Sequence, residues 1–173
     1  MSAPAVVEIA TERLILRPMR SEDAQPFARM IADPEVVRFI GDGTTGTFEE
    51  TQEWVERSIR RNAFGGFDKR TVVRSEDGSV VGWCGIAVWT IDGVIERELG
   101  YVLAREHWGR GLATEAATAM RDHALSALGL HRLIALIHPD NDASKRVAAK
   151  LGFAFERMAP FHGRTVELHA LEA

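Results

Sequence analysis

Cysteine is almost missing from this chain. Cys84 is the only one in 173 residues, so no intrachain disulfide can form and no cysteine-built metal site is available. Long apolar runs are missing as well. None approaches membrane-spanning length, and residues 1–10 lack the pattern of a secretory signal. There is no excess of basic charge: 21 Lys and Arg face 25 Asp and Glu, for a formal charge of −4. That argues against a uniformly basic surface for nucleic acid. The six histidines show no metal-ligand spacing, so no metal is expected. Neither a Gly-Lys-Ser/Thr phosphate loop nor a three-glycine dinucleotide fingerprint occurs. Repeats, low-complexity segments and linkers are also lacking. These absences leave a cytoplasmic protein with one domain over residues 1–173, its core spanning about 11–170, with a monomer or homodimer both open.

What is present centres on Glu106-His107-Trp108-Gly109-Arg110-Gly111-Leu112-Ala113-Thr114-Glu115-Ala116. The apolar run 99–103 before it reads as a buried strand. After it, Ala113, Ala116, Ala117, Met120, Ala124, Ala127 and Leu128 recur at helical spacing. Gly109 and Gly111 let the backbone come close to a ligand, and the unpaired N–H groups of the first helical turn point the same way. Such a turn suits a phosphate or pyrophosphate, with Arg110 and Arg105 adding charge. A tight strand-to-helix turn explains the same glycines.

Around this centre the hydrophobic period alternates between helix and strand. Residues 13–18 read as a first strand. Ser21 is an expected N-cap for a helix that turns Ala24, Phe27, Ala28 and Ile31 inward and stops near Asp33-Pro34. A glycine-containing connection, 39–46, leads to Thr47 and Glu50 at capping-box spacing. The helix they start buries Trp54, Val55 and Ile59 and ends before Gly65-Gly66. Strands follow at 71–74, 80–89 and 95–103, with turns at Glu76-Asp77-Gly78-Ser79 and Asp92-Gly93. After Gly129, a helix stop, come a strand at 132–137, a helix ending at Gly152, and strands at 153–156 and 165–170 joined by a loop holding Pro160 and Gly163.

The run from Trp108 to Ala116 resembles the acyl-CoA pyrophosphate loop of the GNAT superfamily of N-acetyltransferases. Within it the chain is similar to the Rim-type branch, the ribosomal-protein N-terminal acetyltransferases. The superfamily pattern Gln/Arg-x-x-Gly-x-Gly/Ala stands here as Glu106-His107-Trp108-Gly109-Arg110-Gly111, with Glu106 the departure. Thr11-Glu12 and Arg13-Leu14-Ile15-Leu16-Arg17-Pro18 resemble the opening of that branch. Asn141, Ser144 and the ending Leu151-Gly152-Phe153 resemble its second motif. Asn141 and Ser144 also suit an Asx-turn and helix cap.

The resemblance implies a mixed α/β fold: a largely antiparallel sheet of six to seven strands, splayed at its centre and flanked by about four helices. It implies acetyl-CoA as co-substrate and an amine as acceptor, a protein N-terminal residue first and a small molecule second. A non-catalytic acyl-CoA sensor is a third reading. Trp108, Gly109, Arg110, Gly111, Leu112, Ala113 and Thr114 would hold the pyrophosphate. Tyr101, Val102 and Leu103 would hold the pantetheine arm through their backbone, with Gly100 at a bulge, and Asn141 would bond to the arm. Glu98 is the expected general base, with Glu96 in reserve, and Ser144 stands near the sulfur. The tyrosine that many of these enzymes place near the end of the second helix is here Ala148. Cys84 has no partner base nearby in sequence, so a covalent route is not expected. His107 and His138 flank the proposed site without an assigned role, and Trp54 and Trp89 suit the core or the acceptor pocket.

Overall fold

The computed structural model describes residues 8–63 and 69–173. The element order is β1 (Ile9–Ala10), β2 (Leu14–Pro18), α1 (Ala24–Ile31), α2 (Pro34–Val37), α3 (Phe48–Ala63), β3 (Lys69–Arg74), β4 (Val80–Ile91) and β5 (Val94–Leu103). Then come α4 (Leu112–Ser126), β6 (Arg132–Ile137), α5 (Asp142–Lys150), β7 (Ala154–Phe161) and β8 (Arg164–Glu172). The eight strands lie in the order β1-β2-β3-β4-β5-β6-β8-β7. All neighbours pair antiparallel except β5 and β6, which the crossover helix α4 makes parallel. No helix among the described residues is long and apolar enough to cross a membrane.

Each face of the sheet carries its own core. On one side Leu14, Leu16, Val72, Val81, Ile86, Leu99 and Leu103 pack against Ala116, Ala117, Met120 and Ala124 of α4. The alanines let that helix lie close to the strands, and Met120 fills the space left between them. On the other side Phe27, Met30, Val36 and Val55 bring α1, α2 and α3 together, with Trp54 and Trp83 against them. Edge-on contacts tie the aromatics of that second core, with Phe27 and Trp83 ring centres 5.3 Å apart. A buried polar knot fixes how α1 enters. Asp23 accepts two hydrogen bonds from Arg17 (2.8 and 2.7 Å), one from the Thr71 hydroxyl (2.6 Å) and one from Arg20 N–H (2.8 Å).

Several expectations need correction. Among the described residues there are eight strands rather than six or seven, because the short β1 adds an edge, and α2 makes a fifth helix. Ser21 does not cap α1; residues 21–23 form a 3₁₀ turn whose Asp23 bonds back to Arg20. In α1 Met30 is buried while Ala28 and Ile31 are only half-buried. The Thr47/Glu50 capping box is present, at 2.8 and 3.2 Å, but the expected stop at Gly65-Gly66 lies outside the described residues. α4 ends at Ser126, so Ala127 and Leu128 lie beyond it and are exposed. β7 runs through Pro160 to Phe161, and the loop shrinks to the two-residue turn His162-Gly163. Proline fits there because β7 is an edge strand, which spares it a ladder hydrogen bond. No bulge occurs at Gly100, since the β4–β5 register runs unbroken through Gly85↔Gly100.

Candidate active site

The Gly-rich turn falls where β5 gives way to α4. Gly109 and Gly111 both take left-handed backbone angles, φ 70° and 76°, and Gly111 is the N-cap of α4. A side chain there would be strained even where space is open. The N–H groups of Leu112, Ala113 and Thr114 open the helix without earlier partners in it. An acid in this first turn, Glu115, would repel a phosphate, but it is neutralised. It accepts from the Thr11 hydroxyl (2.6 Å), Arg13 N–H (2.8 Å) and Arg13 Nε (2.7 Å). Burial pushes its carboxyl up, yet these bonds outweigh burial and hold it below its ordinary range. Arg13 also donates to Arg110 O at 3.0 Å, which ties that carbonyl to the residue just before β2. Arg110 and Trp108 are exposed, and Arg105 leans toward Asp33 at 3.8 Å. The Arg13–Glu115 tie escaped sequence reading because it spans most of the chain.

β5 and β6 meet only at Glu98↔Ile134 and then part. The gap exposes backbone, and the ladder decides whose. Ala104 N–H donates to Val81 O at 2.9 Å. Counting back along the alternating antiparallel ladder, Val102 turns its backbone groups toward β4, while Tyr101 and Leu103 turn theirs into the gap. Adjacent strand residues cannot face the same way, so the expected set of three is reduced to two. Leu103 O accepts from Trp108 Nε1 at 2.8 Å, which fastens the Gly-rich turn to the mouth of the gap.

A cavity of about 310 Å³ opens through this gap. On the α5 side it reaches Asn141, Ser144 and Ala148. Asn141 Oδ1 caps α5 by accepting from Ser144 N–H at 3.1 Å, a task that leaves its NH₂ group for another partner. Tyr101 Oη lies 3.2 Å from Ser144 Oγ. Burial raises the Tyr101 pKa against the opposing Ser144 bond, so the phenol keeps its proton. The chain's one tyrosine thus reaches from the strand toward the helix whose own tyrosine position is Ala148. Sequence reading placed Tyr101 by backbone alone and missed its hydroxyl.

On the opposite face of β5, Glu98 points into the same cavity beside Trp54, Lys69, Trp83, Trp89, Phe161 and His162. Trp89 Nε1 donates to Glu98 Oε2 at 2.5 Å. Desolvation raises the Glu98 pKa, outweighing the Trp89 bond and the nearby Lys69 and His162 charges. Phe39 and Ile40, in the connection between α2 and α3, cover part of this side. Arg164 holds that connection down by donating to Arg38 O (3.1 Å) and to Asp42 O.

Other candidates fall elsewhere. Glu96 is 5% exposed, sits 3.0 Å from Arg132 and does not line the cavity. Cys84 is buried in the α4-side core, and burial pushes its thiol up to about 12, far from a nucleophile's range. His138 stacks on Phe39 and accepts from Asp140 N–H at 3.2 Å. Trp54 and Trp89 both line the cavity. Among the described residues no group of three His, Cys, Asp or Glu could hold a metal.

A sheet parted beside a helix N-terminus, with a carboxylate across the gap, has the form of an acyl-CoA-dependent acyltransferase. Residues 13–154 match the Acetyltransferase (GNAT) domain. The uncharacterized protein YkkB of Bacillus subtilis is 33% identical over 154 residues, 88% of each chain. A spermidine N(1)-acetyltransferase of Escherichia coli is 27% identical over 142 residues, covering 82% of this chain and 73% of that one. The crystal structure of an acetyltransferase from Agrobacterium tumefaciens superposes with a TM-score of 0.82 at 28% identity, covering 99% of this chain and 97% of that one. The chain belongs to the GNAT acetyltransferase family. It is an acyltransferase with acetyl-CoA as co-substrate.

Proposed function

We propose that the protein moves the acetyl group of acetyl-CoA directly to a primary amine in a ternary complex, with a protein N-terminal residue as the leading acceptor. The observation that carries this is Glu98, a carboxylate in an aromatic-walled cavity on the acceptor side of the parted strands. An amine is protonated in water and must lose that proton before its lone pair can attack the thioester carbon. Glu98 takes the proton, and its raised pKa brings it closer to the range where a base works well at neutral pH. Tyr101 N–H and Leu103 N–H face the gap and offer donors to the arm or to the carbonyl oxygen as charge develops there. As the carbon–sulfur bond breaks, Ser144, backed by the Tyr101 hydroxyl, can supply a proton to the thiolate. The turn from Trp108 to Thr114 holds the pyrophosphate, and the NH₂ of Asn141 bonds the arm.

The Rim-type resemblance of Thr11 to Pro18 and of the Asn141–Phe153 motif supports a peptide acceptor. A small amine is the second reading, supported by the similarity to a spermidine N(1)-acetyltransferase. The test is an acceptor screen with acetyl-CoA, read by product mass. Peptides acetylated at the α-amine support the first reading, small amines alone the second. Retention of acetyl-CoA against every amine rejects both.

A further inference from the structure

The cavity's charges do not suit a bare amine. Among the described residues on its wall, Glu98 is the only carboxylate, whereas Lys69 and Arg164 bring positive charge and His162 an ionisable ring. Arg164 spends its hydrogen bonds on the carbonyls of Arg38 and Asp42, and its charge also acts on the Asp42 carboxylate. Lys69 has no such task. Its Nζ lies 5.2 Å from the centre of the Trp54 ring, and among the described residues no carboxylate stands at ion-pair distance from it. Glu98 acts on it only at longer range. A half-buried ammonium beside an indole face, lining an open cavity, has room for an anion that the described residues do not supply.

We infer that the acceptor carries an anionic group, such as a carboxylate, close to its reactive amine. The amine goes to Glu98 and the anion to Lys69. This rests on the cavity being the acceptor site, as proposed above, and narrows that acceptor's chemistry. Burial lowers the Lys69 pKa against the opposing charge of Glu98, and a carboxylate bound beside it would favour the charged form further. A linear polyamine fails the same test, because it brings several positive charges to a wall with one acid. Two sources supply the required chemistry: a free amino acid, or a peptide whose first residue is acidic.

The test uses the CoA-loaded protein for binding and acetyl-CoA for turnover. Probes are free glutamate, glutamate diamide, peptides beginning Glu or Ala, and spermidine. Calorimetry gives affinity, and product mass gives acetylation. One of the two acidic probes should bind and react best, and whichever does identifies the source. Lys69→Met should weaken that probe about ten- to hundredfold, the scale of a hydrogen bond to a charged group, with little change for its neutral counterpart. Lys69→Arg should restore much of the loss. Preference for spermidine or a neutral probe, equal effects of Lys69→Met on acidic and neutral probes, or binding by none of them overturns the inference. Turnover without preference removes only the inference. Selective, Lys69-dependent binding without acetylated product removes only the proposed activity.

Discussion

The first half of β5 is tied to β6 by an ion pair and one backbone bridge while the second half parts from it, and two carboxylates mark the change. Glu96 lies in the tied half. Its carboxylate meets Arg132 of β6, whose guanidinium also pairs with Glu156 and Glu172, so four strands are tied at one point. Glu98, two residues on, stands at the single β5–β6 bridge, and among the described residues its hydrogen-bond donor is an indole N–H. The same residue type therefore serves cohesion at one position and, in the proposed mechanism, chemistry at the next but one. What separates them is the partner across the sheet. Charge cancelled by a guanidinium makes a fastening; a carboxylate left facing a cavity is free to act as the proposed base.

The largest effect should come from the open half. Glu98→Gln keeps the shape and the Trp89 contact and removes the proposed base, so kcat/KM should fall roughly 10²–10⁴-fold, with the deficit shrinking at high pH where the amine is already neutral. Wild-type activity should fall on the acid side as Glu98 takes up its proton, and the variant should lack that limb. Stability should move the other way. Burial holds the folded pKa of Glu98 above its unfolded value, so the native state binds the extra proton. Stability then drops as pH rises from the unfolded pKa through the raised folded one. Glu98→Gln should remove that slope and be the more stable protein at neutral pH. A pH–rate profile beside denaturant melts at two pH values checks both halves. If Glu98→Gln tracks wild-type kinetics throughout, the base lies elsewhere.

Glu96→Gln should show the reverse pattern. Breaking a fully buried pair costs about 3–5 kcal/mol, but here the Arg132 side chain is 30% exposed and keeps two other carboxylates. The expected loss is therefore about 1–2 kcal/mol of unfolding free energy, with kcat/KM nearly unchanged in the folded fraction. Urea unfolding with matched kinetics decides. A large kinetic loss at full stability would dissolve the contrast between the two carboxylates.

How far this contrast was legible beforehand depends on reach along the chain. The Gly109/Gly111 turn, the two hairpin turns and the α4 seam are local, and local patterns show in a string of letters. Glu96 and Glu98 looked alike because both sit on one nominal face of one strand. Only Arg132, brought up beside β5 by the α4 crossover, tells them apart. Lys69 carries no motif and acquires meaning only from the walls around it. Pro160 misled for a physical reason: it breaks inner strands, and nothing local marked β7 as an edge.

The smallest effect belongs to the far end of the open half. Tyr101 Oη lies 3.2 Å from Ser144 Oγ, and burial keeps the phenol protonated. A Tyr-to-Ser relay could deliver a proton to the departing thiolate, yet the reaction asks little of it. A thiol of ordinary pKa, about 8.5, leaves tolerably as the anion, so late protonation lowers the barrier only slightly. Tyr101→Phe should therefore cost less than about tenfold in kcat, and Ser144→Ala a similar amount. Neither deficit should recover at high pH, unlike that of Glu98→Gln, because amine deprotonation is not the step disturbed. If the two hydroxyls act in series, the double variant should be no worse than the poorer single one; if they act separately, the losses should multiply. The cycle is measured on kcat with one good acceptor under saturating acetyl-CoA. A loss beyond a hundredfold in Tyr101→Phe would make the tyrosine the principal acid. The open half of β5 would then supply both proton-handling groups, the base from one face and the acid from the other.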